Sequence, residues 1–161
     1  MFLSKIKYKH IFQILEWRNK QIKYLRQKRK INLIYQIYYF FFKINNQYNK
    51  VKPDQLLYMV NYKKKIIGYG GLVHIDWSNR QSEISFLTSP NIHTNKAIYK
   101  KYFNNFFEII ENFAKKKNII LITTETFNHR KINILLLKEL GFKIDKKKSQ
   151  KNSTFQYKSI L

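Results

Sequence analysis

The stretch IIGYGGLVHIDWSNRQSEISFL, residues 66–87, reads as two β-strands joined by a short turn. Its first strand, 66–77, carries Gly68, Gly70 and Gly71, three of only four glycines in the chain. Glycine weakens a strand interior, so this cluster marks a place where a ligand or a neighbouring backbone comes very close. Alternation puts Gly68, Gly70, Leu72, His74 and Asp76 on one face. Ile67, Tyr69, Gly71, Val73, Ile75 and Trp77 fall on the other, the core face. On the returning strand, 82–88, Glu83, Ser85 and Leu87 share a face, and Ile84 and Phe86 point the opposite way. With SNRQ (78–81) as the turn, Asp76 and Glu83 fall near each other, and His74 joins them if the register is simple.

Upstream, residues 9–26 place Ile11, Ile14, Leu15, Ile22 and Leu25 on one helical face. Residues 31–44 do the same with Leu33, Ile34, Ile37, Tyr38 and Phe41. PDQLLYMVNY (53–62) opens with a helix-discouraging proline and reads as a strand, turned by KKK (63–65) into the hairpin. Downstream of Pro90, residues 94–118 form a helix with Thr94 or Asn95 as N-cap. IILITTETF (119–127) is a β-rich run, and RKINILLLKEL (130–140) is an amphipathic helix closed by Gly141. FKIDK (142–146) and STFQYKSIL (153–161) are two weaker strands. Three hairpin-connected strands followed by a strand–helix–strand crossover require a mixed sheet. The expected fold is therefore α/β (or α+β), one domain over 1–161, with helices on both faces of the sheet.

A chain of 161 residues, 44% hydrophobic and 17% aromatic, can bury a sizeable core and is no disordered segment. It has no apolar run of membrane-spanning length, and its start lacks a signal-peptide core, so a cytoplasmic protein is expected. With no cysteine, disulfides, thiolate zinc sites and cysteine nucleophiles are excluded together. The net charge of +23 suggests an anionic partner, with nucleic acid as the first thought. However, the lysines are scattered over turns and helix ends, and arginine is a minority of the cations. A solvated lysine-rich surface is the favoured reading.

Of nine acidic residues, Asp76, Glu83 and Glu125 lie inside predicted strands instead of on solvated faces. A carboxylate beside the His74 imidazole in a cleft would suit a general base. The bland alternatives are that Asp76 holds the turn and Glu83 pairs with a nearby cation. His10, His93 and His129 are too dispersed to ligate a metal, and no metal is expected. EWRN (16–19) places Arg18 on the inward side of its helix, where it needs a fixed partner, either structural or a ligand. Walker, GxGxxG and nucleophile-elbow motifs are absent, which leaves the helix start at 94–97 as the best anion site.

The segments ILEWRN (14–19), IIGYGGLVHIDWSNRQSEISFL (66–87) and LLLKELGFK (135–143) together resemble the GNAT superfamily of N-acetyltransferases. The branch most similar contains ribosomal-protein and amino-sugar acetyltransferases. The resemblance implies a mixed, mainly antiparallel sheet in which two central strands splay apart around acetyl-CoA, the co-substrate. It implies that Ser85, Phe86, Leu87 and Thr88 pair with the pantetheine arm, and that Thr94, Asn95, Lys96 and Ala97 cradle the pyrophosphate. Asn128 would hold the cofactor or a water. Glu83 would be the base, with His74 and Asp76 as alternatives, and Gly70, Trp17, Arg18 and Asn19 would line the acceptor side. The implied reaction is acetylation of a primary amine, on a nucleotide-linked sugar or a protein N-terminus, by a monomer or homodimer. Two positions depart from the family pattern: NIHTNKA (91–97) lacks the pyrophosphate-loop glycines, and Leu137 stands where a thiolate-protonating tyrosine is usual. The rival is a catalytically silent GNAT-like fold that binds RNA or an acidic partner through its basic surface.

Overall fold

The computed structural model describes residues 1–160; Leu161, at the end of the last expected strand, lies outside them. The hairpin at 66–87 is its centre. Strand β3 (Lys65–Asp76) pairs antiparallel with β2 (Leu56–Tyr62) on one side and β4 (Gln81–Thr88) on the other. An edge strand, β1 (Phe2–Lys5), pairs with β2. It is too short for its alternation to be read from sequence. Helix α4 (Lys96–Lys116) carries the chain to β5 (Leu121–Phe127), and α5 (Lys131–Glu139) leads to β6 (Lys143–Ile144) and β7 (Ser153–Ser159). The seven strands lie in the order β1-β2-β3-β4-β5-β7-β6, antiparallel throughout except between β4 and β5. The expected mixed, mainly antiparallel sheet with helices on both faces is what the chain forms.

Each face owns a core. Tyr69, Val73 and Leu87 pack beneath α1 (Ile11–Lys20), against Ile14 and Trp17. On the other face Leu72 and Ile84 meet Phe103, Phe106 and Ile110 of α4 and Leu136 and Leu137 of α5. Burying Phe106 completely makes it a keystone, since emptying such a site costs about 3–5 kcal/mol. No helix among the described residues is long and apolar enough to cross a membrane.

Simple alternation along β3 fails at both ends. Val60 faces Gly68 but Asn61 faces Ile66, and Val73 faces Glu83 but Asp76 faces Gln81. Each shift leaves one extra residue on β3, a bulge. The second bulge puts His74 at φ +50° with its side chain 74% exposed, and turns Ile75 into the α4-side core beside Leu72. Ile67 joins that same core, so the single core face read from sequence is divided between two.

The first two expected helices are also shorter than their periodicity suggests. α1 stops at Lys20, and a tight turn at Ile22–Tyr24 leads into irregular chain, so Leu25 leaves the helical face and borders a cavity instead. Asn32 caps α2 (Leu33–Tyr39) by accepting from the Tyr35 N–H at 2.8 Å. That helix widens into a π-turn over Phe40–Ile44, which drives Phe40 and Ile44 into the α1-side core.

Candidate active site

β4 and β5 are joined only through Gln81–Leu121, Ser82–Ile122 and Glu83–Thr123. Beyond that point β3 keeps hold of β4 as far as Thr88, and β7 keeps hold of β5 as far as Phe127. The two strands therefore part, each with one edge unpaired. A cavity of about 110 Å³ fills the fork, bordered by Glu83, Ser85 and Phe86 of β4, Glu125 of β5 and Leu137 of α5. Tyr24 and Arg26, from the chain between α1 and α2, border it as well.

Glu83 stands at the point where the strands separate, and Glu125 lies just beyond it on the other arm. Both side chains are largely buried, and the Arg26 guanidinium ties them together, bonded to Glu83 and 3.2 Å from Glu125 Oε2. Burial alone lowers the Arg26 pKa, but the bond to Glu83 and the two negative charges more than reverse this and hold it above its ordinary value. The Ser153 hydroxyl donates to Glu125 and fixes its other oxygen. His74 Nε2 stands 3.8 Å from Glu83 Oε2, close enough for electrostatic contact and too far for a hydrogen bond. Arg26 lies in the irregular 25–32 segment; periodicity put it at the end of the first helix and attached no role to it. Glu125 did carry a signal, an acid inside a strand, though no role was attached to it.

Asp76 is not part of this group. Its carboxylate accepts from the Ser78 and Asn79 N–H groups, each at 3.0 Å, and from the Asn79 amide at 2.7 Å. Those bonds, led by the Asn79 backbone, lower its pKa and commit it to the turn. Gly70 does not floor the cavity either: a Cβ there would lie 2.2 Å from the Ser85 carbonyl and 3.0 Å from the Phe106 ring. What comes close at Gly70 is neighbouring backbone and α4.

The EWRN residues serve the fold. Trp17 is buried in the α1-side core. Arg18 donates to Gln27 Oε1 at 3.1 Å and lies over the Tyr39 ring. Asn19 clamps Ile31, donating to its carbonyl at 2.9 Å and accepting from its N–H at 3.0 Å, and also accepts from Gln27. These bonds shape the 21–32 segment that delivers Arg26. Asn128 is likewise committed, donating to the Lys151 carbonyl at 3.0 Å and accepting from Thr154 at 2.8 Å.

Beyond β4, Ser89–Asn95 include the short helix α3 (Pro90–Thr94), and Asn95 caps α4 by accepting from the Ile98 N–H at 3.1 Å. Of the first-turn donors this leaves the Lys96 and Ala97 N–H groups, on exposed residues. A wider cavity, about 430 Å³, adjoins this helix start, with His93, Thr94, Lys96, Arg130 and Lys131 around it and no carboxylate in its lining. Arg130 borders both cavities; it donates to the Tyr24 carbonyl at 3.3 Å, while its enclosed Nε–H has no acceptor among the described residues. Burial, then the charges of Arg130 and Lys23, push the His93 imidazole down to about 4. Leu87 and Thr88 are buried, and Thr88 gives its carbonyl to the Gln21 amide at 2.8 Å.

A sheet that forks between two parallel neighbours beside a helix N-terminus is what the resemblance to the N-acetyltransferases implied. The sequence profile of the acetyltransferase (GNAT) domain matches residues 3–157, and the chain belongs to this family of N-acetyltransferases. A comparison with curated protein sequences finds no match. Among solved structures, a spermidine N-acetyltransferase from Vibrio cholerae, in complex with CoA and spermine, superposes with a TM-score of 0.80 at 14% identity, covering 98% of this chain and 94% of that one. The self-immunity acetyltransferase MccE, in complex with acetyl-CoA and AMP, gives 0.74 at 16% identity over 98% and 91% of the two chains. A ribosomal-protein-alanine N-acetyltransferase from Brucella melitensis gives 0.71 at 13% identity over 99% of each. At these identities the likeness is one of fold.

Proposed function

We propose that this chain transfers the acetyl group of acetyl-CoA to a primary amine at the fork between β4 and β5. The observation that carries the reading is the parting of those strands beyond Glu83 and Thr123, which leaves a strand edge bare beside a cavity. The residues fit the co-substrate. The free edge of β4 at Ser85 and Phe86 suits an amide-bearing arm. The carboxylate-free second cavity, with Lys96, Arg130 and Lys131 around it, suits phosphate. Lys96 and Ala97 would add backbone donors there, and the Arg130 and Lys131 side chains would replace part of what loop glycines do elsewhere. Acetyl-CoA supplies the acetyl group as a thioester.

Glu83 is the base in this reading. It accepts a proton from the amine, directly or through water, as the nitrogen bonds to the acyl carbon and the carbon–sulfur bond breaks. His74, next to Glu83 but exposed, can pass the proton on to solvent. Leu137 borders the cavity and brings no hydroxyl, so the leaving thiolate takes its proton from elsewhere. Thiolate is a good enough leaving group to do so. As to acceptors, the neighbours named above include enzymes for spermidine and for ribosomal-protein alanine, both amines. A carboxylate pair at the fork favours a positively charged acceptor such as a protein N-terminus over an anionic nucleotide-linked amino sugar.

Calorimetric titration with acetyl-CoA should show micromolar binding; no binding would turn the reading towards a silent fold acting through its basic surface. Glu83→Gln should lower turnover about 10²–10⁴-fold with acetyl-CoA affinity retained. Unchanged turnover would remove Glu83 as the base.

A further inference from the structure

We infer that Glu83 and Glu125 form a doubly negative acceptor subsite, and that Arg26 is a tethered stand-in for the substrate's positive charge, which a dicationic amine displaces. The inference rests on the acetyl-transfer reading above and assigns its acceptor class.

The chain has nine acidic residues against 32 basic ones, so where acids converge is informative. Glu16, Asp54, Glu111 and Glu139 are spent on lysines at the surface or between elements, Glu108 is exposed on α4, and Asp76 and Asp145 hold turns. Glu83 and Glu125 instead face each other across the fork, from two strands that are parting. Two like charges this close need a cation between them. The cation present is not part of the sheet or of a helix. It comes from the irregular connection between α1 and α2, and its side chain is 49% exposed.

Arg26 keeps about half of its side chain in water, so it can leave for solvent, and a diffusible cation can compete with it for the largely buried carboxylates. Loss of Arg26 without replacement would leave the carboxylates to repel each other. The subsite is thus stable with its own guanidinium or with a substrate cation, and unstable with neither. Displacement has a second effect: it frees the Glu83 oxygen that Arg26 now covers, which the amine proton needs. Binding and activation of the base then become one event. Most primary amines carry one charge at neutral pH, and a two-carboxylate site is matched by an amine with a second cationic centre, such as a diamine or a peptide beginning next to a lysine or arginine. The reaction balances as R–NH₃⁺ plus thioester giving amide, thiol and one proton, the proton leaving through Glu83.

The test is binding of three amines of similar length to the CoA-loaded protein: 1,5-diaminopentane, 5-amino-1-pentanol and 6-aminohexanoate. The diamine should bind about fivefold or more tightly than the amino alcohol, with the amino acid weakest. Arg26→Gln should tighten the diamine about fivefold, Arg26→Lys should change it little, and Glu125→Gln should abolish the preference for the diamine. Equal affinity for the three amines, no diamine binding, or weaker diamine binding by a folded Arg26→Gln variant would overturn the inference. Acetyl-CoA binding with no charge preference sinks this inference alone, whereas absence of acetyl-CoA binding sinks the acetyl-transfer reading itself.

Discussion

Gly70 and Gly71 show how single residues set the fork. The space a Cβ would need at Gly70 is held by the Ser85 carbonyl, the Phe86 Cα and the Phe106 ring. At Gly71, φ is +154° and the Leu56 carbonyl lies 2.0 Å from where a Cβ would be. A side chain at Gly70 would push β3 from β4, whose far edge borders the fork, and one at Gly71 would push β3 from β2. His93 belongs to this scale too. It packs against Tyr24 and Tyr99, with ring centroids 4.2 and 5.4 Å away, in a cation-rich pocket that keeps it neutral down to about 4. The unfolded chain binds that proton near 6.5, so between 6.5 and about 4 it takes up more protons than the folded chain. The contribution of this residue is fully present above 6.5 and lost as pH falls through that window. His93→Phe keeps the ring contacts and removes the titration. Its urea midpoint should fall less than that of the wild type on acidification from about pH 7 to about pH 4.5. Equal falls would show that His93 is not the group responsible.

At the scale of elements, the connection between α1 and α2 decides whether the fork is guarded. Periodicity extended the first helix to residue 26, yet α1 ends at Lys20 because Gln21 leaves helical geometry and sends its amide to the Thr88 carbonyl. That bond ties the end of α1 to the end of β4, and from there Asn19 folds the segment back through Ile31. Asn19→Ala removes those bonds and should cost about 1–3 kcal/mol. Amide exchange should quicken across 25–31 and stay unchanged in α4. Uniform acceleration over the whole chain would mean that the clamp is global and not local. Nothing in the spacing of residues 9–26 announces this break, since its cause is a partner 67 positions away.

For the whole molecule the governing quantity is the charge of +23. Ion pairs such as Glu111 with Lys115 and Lys158 offset it locally, and they hold the Glu111 pKa down although its burial works the other way. The remaining lysines repel one another over a Debye length that shrinks from about 30 Å at 0.01 M salt to about 8 Å at 0.15 M. The melting temperature should therefore rise across that range, by about 2–4 °C for each kcal/mol of repulsion screened. A fall would show that the ion pairs outweigh the net repulsion.

What the sequence alone determined is whatever depends on local pattern: the central hairpin, the order of helices and strands after it, a helix cap at Thr94 or Asn95, and an acid, Glu83, inside a strand. Alternation and helical spacing are properties of neighbouring residues, so they survive without coordinates. Only the tertiary structure decided the rest, because it depends on contacts between distant segments. Bulges fixed by β2 and β4 turned His74 outward and moved Ile67 and Ile75 away from Tyr69 and Val73 into the α4-side core. Asp76, Asn128 and Asn19 are bonded to turns and backbone. Arg26, Glu83 and Glu125 come from three separate stretches of chain and meet only because β4 and β5 part where they do.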